Sequence, residues 1–238
     1  AVDDYLYVGT GEQKMLALNK YNGNLRWQST VDGRPTGILS VSNDTLYFAT
    51  TEIPQDGFSQ GYVYAMNRYN GDVYWKSLLP QEGNSFGGSG VGVTLWNNLL
   101  FTGSLNSRVY GIDRDSGRIV WNYKGTWIIL NYGNIDNGTF YIGENFGYMY
   151  AFNALTGKLR WRYETKGSIG RGSPSIENNL LAFSSGDSYL YVLDKKSGEF
   201  KIKRSNTGAP LLKSGKIYAG TYNDNYSENF IIALQINN

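Results

Sequence analysis

One eleven-residue pattern, repeated along the chain, constrains this sequence more than any other feature. It begins Ala17-Leu18-Asn19-Lys20-Tyr21-Asn22-Gly23-Asn24-Leu25-Arg26-Trp27 and reads small–x–Asn/Asp–x–x–Asn/Ser/Thr–Gly–x–x–x–Trp. It returns with Ala65, Asn67, Asn70-Gly71 and Trp75, then with Gly111, Asp113, Ser116-Gly117 and Trp121. A further copy has Ala151, Asn153, Thr156-Gly157 and Trp161; a fifth has Val192, Asp194 and Ser197-Gly198, with Ile202 in the Trp place. A sixth starts at Ala233-x-Gln235 and stops at Asn238. The glycines are 48, 46, 40 and 41 residues apart. A period of about 40–50 residues is that of propeller blades, each a four-stranded sheet.

Each element of the pattern has a physical reason. An alternating strand such as Tyr62-Val63-Tyr64-Ala65-Met66 or Tyr148-Met149-Tyr150-Ala151-Phe152 leads into it. The Asn or Asp opens a turn, because its side chain accepts from backbone N–H groups two residues on. The Gly supplies a positive φ. The strand that follows carries the Trp, a large aromatic at a fixed place and hence a wedge between neighbouring units.

A second strand precedes each alternating one: Tyr5 to Gly9, Leu46 to Thr50, Leu99 to Gly103, Phe140 to Gly143, Leu180 to Ser184 and Ile217 to Gly220. Turn signals (Asn43-Asp44, Asn97-Asn98, Asn137-Gly138, Asn178-Asn179, Ser214-Gly215) stand before five of these. Before the turns lie short segments at 37–41, 91–95, 128–135, 174–176 and 210–212. With the strands named A to D in chain order, units 2 to 5 hold all four, unit 1 holds B, C and D, and unit 6 holds A, B and C. The reading is an all-β, single-domain β-propeller over 1–238, of about six four-stranded blades with the first and last incomplete. The units fall at about 1–31, 32–80, 81–124, 125–165, 166–205 and 206–238. A start at an A–B turn and a stop at a C–D turn imply a ring with two three-stranded blades, or a segment of a larger ring.

The pattern resembles the tryptophan-docking repeat of the PQQ-dehydrogenase-like (quinoprotein-type) β-propeller family. In that family the Trp packs between blades, so the resemblance assigns blade docking to Trp27, Trp75, Trp121 and Trp161. One branch holds pyrroloquinoline quinone and calcium; another keeps the repeat as a scaffold, as in the outer-membrane assembly lipoprotein of bacteria. The sequence departs from the enzymes. It has no Cys, so the vicinal disulfide that typically covers the quinone cannot form, and it has no His to act as base or ligand. Asp113 and Asp194 occupy the turn position of the repeat, which explains them without a metal. The expectation is a non-catalytic scaffold with no cofactor, no catalytic residue and no metal site.

Binding is expected at loops. The D–A connections carry Arg34, Trp127 and Arg171, a set suited to a carboxylate, a sulfate or a sugar face at an axial mouth; solvated arginines and a packed indole are the plainer reading. The long B–C loop over 51–61 carries Ile53, Pro54 and Phe58, a candidate partner contact. Sequons at Asn43, Asn137 and Asn225 are candidate glycosylation sites and fit a secreted or cell-surface protein. A net charge of +2 without a dense basic stripe argues against nucleic acid, and no run is long enough to span a bilayer. The partner expected is a protein or a glycan. The alternatives are a PQQ- and calcium-dependent dehydrogenase, and a structural subunit of an extracellular assembly.

Overall fold

The computed structural model describes residues 3–51, 60–80, 87–169, 172–205, 208–222 and 229–235. These residues form strands and turns only. In chain order the strands are β1 (Tyr5–Gly9), β2 (Lys14–Asn19) and β3 (Leu25–Thr30); β4 (Arg34–Ser42), β5 (Thr45–Thr51), β6 (Gly61–Asn67) and β7 (Val73–Leu79); and β8 (Thr94–Trp96), β9 (Leu99–Gly103), β10 (Arg108–Asp113) and β11 (Ile119–Lys124). They continue with β12 (Asn134–Asp136), β13 (Thr139–Gly143), β14 (Tyr148–Asn153) and β15 (Leu159–Glu164); β16 (Ser175–Glu177), β17 (Leu180–Ser185), β18 (Tyr189–Asp194) and β19 (Phe200–Ser205); and β20 (Leu211–Lys213), β21 (Lys216–Tyr222) and β22 (Asn229–Gln235). Each group is one antiparallel meander. Four sheets have four strands; the first lacks strand A and the last lacks strand D, as the sequence reading expects.

The chain divides into two compact units, Ala1–Leu130 and Asn131–Asn238. Blades 1 to 3 lie in the first and blades 4 to 6 in the second.

Within each blade, strand C meets strand D with one register shift, and the shift recurs at the same place in blades 1 to 5. It sets the small residue of the repeat opposite the Trp: Ala17 pairs with Trp27, Ala65 with Trp75, Gly111 with Trp121 and Ala151 with Trp161. A Cβ at Gly111 would lie 2.3 Å from the Trp121 ring. In blade 5 the pair is Val192 opposite Ile202, a larger residue facing a smaller one. The small position is therefore room for an indole.

Cores lie between neighbouring sheets. Met15, Trp27, Leu46, Phe48 and Met66 pack blade 1 on blade 2, while Ala49, Val63, Leu100 and Ile112 pack blade 2 on blade 3. Met149, Ala151, Leu181 and Leu193 pack blade 4 on blade 5; Leu190, Val192, Leu212 and Ile217 pack blade 5 on blade 6. Alternate residues of β5 thus serve two different cores, so B and C strands read as nearly unbroken apolar runs. The D strands are one-sided, and β15 alternates partly buried with exposed positions.

Candidate functional site

Two ends of each blade carry different chemistry. The A–B and C–D turns share one end, and the B–C turns and D–A connections share the other.

The first end holds the blade joints. In the C–D turn the Asn or Asp side chain accepts backbone N–H groups two and three residues on; Asn19 takes those of Tyr21 at 2.9 Å and Asn22 at 3.2 Å. Asp194 takes those of Lys196 and Ser197, both at 2.9 Å, and the Ser197 N–H leads in holding its carboxyl below the usual range. The Ser116 hydroxyl and N–H do the same for Asp113. The motif glycines sit at φ of 68–79°. The carbonyl just after the Asn or Asp receives the indole of the preceding blade: Trp27 Nε1 donates to Arg68 O at 2.9 Å, Trp75 to Arg114 O at 3.0 Å and Trp161 to Lys195 O at 3.1 Å. Each of those rings covers the motif Gly of the blade it reaches. A Cβ at Gly71, Gly117 or Gly198 would come within 2.6–2.7 Å of ring carbons. An aromatic of strand B backs each indole: Tyr7 on Trp27, Tyr47 on Trp75, Tyr141 on Trp161, and Phe101 on Trp121, with centroids 5.8–6.2 Å apart.

Sequence reasoning missed a second thread through these joints. The residue whose carbonyl takes the indole has a basic side chain in three blades, and it returns to the A–B turn region of the blade before. Arg68 pairs with Asp3, Lys195 pairs with Asp136 at 2.6 Å, and Arg114 reaches the Ser42 hydroxyl at 3.5 Å. The signal was visible as a basic residue after Asn67, Asp113 and Asp194.

The other end is where ligands are expected. Here the buried Tyr of strand C in blades 2 to 5 anchors a loop by its hydroxyl. Tyr64 donates to Asp32 at 3.1 Å and accepts the Asp32 N–H at 2.8 Å. Tyr110 accepts from Asn106 Nδ2 at 2.7 Å, Tyr191 donates to Asp187 at 2.5 Å, and Tyr150 donates to Glu144, whose side chain is fully buried. Burial raises the Tyr64 and Tyr191 hydroxyls. Burial pulls the Asp187 carboxyl up, but hydrogen bonds led by that of Tyr191 outweigh it and hold it low. The Lys76 ammonium holds the Asp32 carboxyl low in the same way.

A cleft of about 650 Å³ opens at this end of blade 4. Its walls are the B–C turn (Asn145, Phe146) and the D–A connection (Glu164, Thr165, Lys166, Gly167, Ser168). Phe146 is 68% exposed, while Thr165 is buried and its hydroxyl holds the carbonyls of Gly147 at 3.0 Å and Gly167 at 2.8 Å. Glu164 and Lys166 are exposed, with opposite charges on one wall.

Of the residues singled out from the sequence, Arg34 is exposed at the start of β4 and Trp127 is 53% exposed in the D–A connection after β11. Arg171 lies outside the described residues, as do Ile53, Pro54, Phe58 and Asn225. Asn43 and Asn137 are exposed on A–B turns, at φ of 53° and 44°.

Three acidic residues described at this end already serve the loops. Asp32, Glu144 and Asp187 are each engaged by a tyrosine of their own loop system. Among the described residues no three His, Cys, Asp or Glu side chains come together as a metal would need. Among them, too, no helix is long and apolar enough to cross a membrane.

The sheets and their indole contacts define a β-propeller of the PQQ-like repeat class. The chain belongs to the family whose model is described as outer membrane protein assembly factor BamB, which matches residues 1–124 and 105–201. Among curated relatives, tetrathionate hydrolase of Acidithiobacillus ferrooxidans is 26% identical over 113 residues, 47% of this chain and 22% of that protein. BamB of Francisella tularensis is 24% identical over 106 residues, 44% of this chain and 23% of that protein. The quinoprotein alcohol dehydrogenase PedH of Pseudomonas putida is 29% identical over 122 residues, 45% of this chain and 20% of that protein. The chain thus spans about a fifth of the length of these relatives. Among solved structures, BamB from Moraxella catarrhalis superposes with a TM-score of 0.73 at 14% identity, over 98% of this chain and 73% of that one, which shows the fold.

Proposed function

We propose that this propeller is a non-catalytic scaffold that works outside the cytoplasm and presents a rigid loop face to a protein or glycan partner. The observation that carries the reading is the family match over residues 1–201, to a model described as an assembly factor. The tyrosine-bound carboxylates of Asp32, Glu144 and Asp187 support it, since among the described residues these side chains already serve the loops. A rigid face follows from the build: the B–C turns of blades 3, 4 and 5 are pinned from beneath by tyrosine hydroxyls, and neighbouring blades within a unit share buried cores.

The enzymatic relatives set the test. Titration with pyrroloquinoline quinone and calcium, followed by the quinone absorbance, is expected to give no saturable change and no dye-linked alcohol oxidation. A stoichiometric spectral shift would overturn the scaffold reading.

A further inference from the structure

The B–C turns of blades 1, 3, 4 and 5 have the same length and register, so their positions correspond one to one. The third turn residue is Glu12 in blade 1, Asn106 in blade 3 and Asp187 in blade 5: polar each time. In blades 3 and 5 it serves the strand-C tyrosine, through Asn106 to Tyr110 and Asp187 to Tyr191. In blade 4 the partner of Tyr150 has moved to the first turn position, Glu144. The third position, relieved of that duty, holds Phe146, which is 68% exposed. A repeat that exposes an aromatic where blades 3 and 5 place a polar anchor and blade 1 a charged side chain breaks its own rule, and such breaks mark function. The break also falls where the cleft opens.

From this we infer that the blade-4 cleft is a binding site for a neutral sugar, with Phe146 as the platform for one pyranose ring. An aromatic face is negative and apolar, and the axial C–H groups of a pyranose meet it favourably. The residues that line the cleft beside it carry side-chain donors and acceptors: the Asn145 amide, the Glu164 carboxylate, the Lys166 ammonium and the Ser168 hydroxyl. Glu164 and Lys166 form no ion pair among the described residues, and their opposite charges balance, which favours an uncharged polyol over an ion.

An added peptide strand fits poorly, because the backbone at the rim is engaged. Gly147 N–H donates to Glu144 O at 3.1 Å, Thr165 N–H to Gly147 O at 2.8 Å and Gly186 N–H to Ser168 O at 2.7 Å. Gly167 O accepts from the hydroxyls of Thr165 and Ser185. Recognition must therefore run through side chains, as it does for sugars. The volume lies within the range of about 300–1,000 Å³ usual for small-ligand sites.

This inference is separable from the scaffold reading, since a quinone titration leaves it untouched. Its test is a titration of the intact chain with cellobiose, maltose, lactose and chitobiose at millimolar concentrations. Calorimetry would run in parallel with amide shift mapping. At least one disaccharide is expected to bind saturably and to move the amides of Phe146, Lys166 and Ser168. Phe146→Asn, the blade-3 residue, should weaken that binding at least about tenfold with unchanged thermal unfolding, and Phe146→Tyr should retain it. Absence of saturable binding by all four sugars would overturn the proposal. So would shifts confined to other blades, equal affinity in Phe146→Asn, or a Phe146-dependent response seen only with extended peptides.

Discussion

Two joints within the second unit solve the same packing problem differently. Between blades 4 and 5 the indole of Trp161 spans the gap, covers Gly198 and donates to Lys195 O. Between blades 5 and 6 the equivalent residue is Ile202, which has no donor. There the polar link comes from strand A instead. Glu177 accepts the N–H groups of Ser214 at 2.6 Å and Gly215 at 3.0 Å, and Ser175 Oγ accepts Leu212 N–H at 2.8 Å. Strand-A links exist elsewhere as a supplement: Ser40 Oγ donates to Val93 O at 2.7 Å and Asn134 Nδ2 to Pro174 O at 3.0 Å. The comparison teaches that a blade joint sets directional contacts over an apolar core, and that the indole is one way among several to supply them.

Truncating the two side chains breaks this comparison most strongly. Trp161→Ala removes a large ring and a cross-blade hydrogen bond, and should cost about 3–5 kcal/mol in denaturant unfolding. Ile202→Ala, at a half-buried position, should cost about 1 kcal/mol. Equal losses would show that the indole holds no special place. Conversely, Glu177→Ala should cost about 1–2 kcal/mol, because two N–H groups lose a charged acceptor; a silent Glu177→Ala would mean that blade 6 rests on apolar contact alone.

A pair of tyrosines sharpens the picture at smaller scale. Tyr141 donates its hydroxyl to Lys195 O at 3.0 Å, beside the Trp161 bond. The equivalent hydroxyl of Tyr7 is buried with no hydrogen-bond partner among the described residues, and burial pushes it up to about 12. Thermal unfolding should therefore find Tyr141→Phe weaker by about 1 kcal/mol and Tyr7→Phe unchanged or improved. Blade 3 already carries Phe101 at this place.

The smallest effect concerns acid. Asp194 titrates low in the folded chain, chiefly through the Ser197 N–H. A depressed carboxyl contributes stability above its unfolded value of about 3.9, and the contribution is lost as pH falls through the folded value. Blades 1, 2 and 4 place Asn at this position and make the same turn. Asp194→Asn should thus flatten the pH dependence of unfolding below about pH 4, with little change near neutrality. An undiminished acid slope in the variant would remove Asp194 from the account.

Much of the fold could be read from the chain. The turn Asn or Asp, the Gly and the Trp fix strands C and D because each answers a local demand: a capped turn, a positive φ and an aromatic wedge. Strand A was legible only roughly. The segments at 91–95 and 128–135 only overlap the strands found, Thr94–Trp96 and Asn134–Asp136, each of three residues and one residue past the end read, because a short edge strand needs little periodicity. Conversely β4 runs over Arg34–Ser42, longer than the five residues read, with an irregularity between Thr36 and Ser40.

The loop face was the least legible part. Arg34 and Trp127 drew notice by residue type, whereas Phe146 gained meaning only once its turn was set in register with Asn106 and Asp187. Likewise, the basic residue of the joint looked like solvated charge until its cross-blade partners were in view. Such contacts join residues far apart in sequence, and a repeat pattern read blade by blade does not contain them.

Hydrogen exchange at the indole nitrogens, followed by nuclear magnetic resonance of the intact chain, tests the blade-locking account most directly. The Nε1 protons of Trp27, Trp75 and Trp161 are expected to exchange as slowly as the central amides of strands β5, β10 and β14, because each is donated across a buried joint. Exchange at the rate of a free indole for those three would contradict the account.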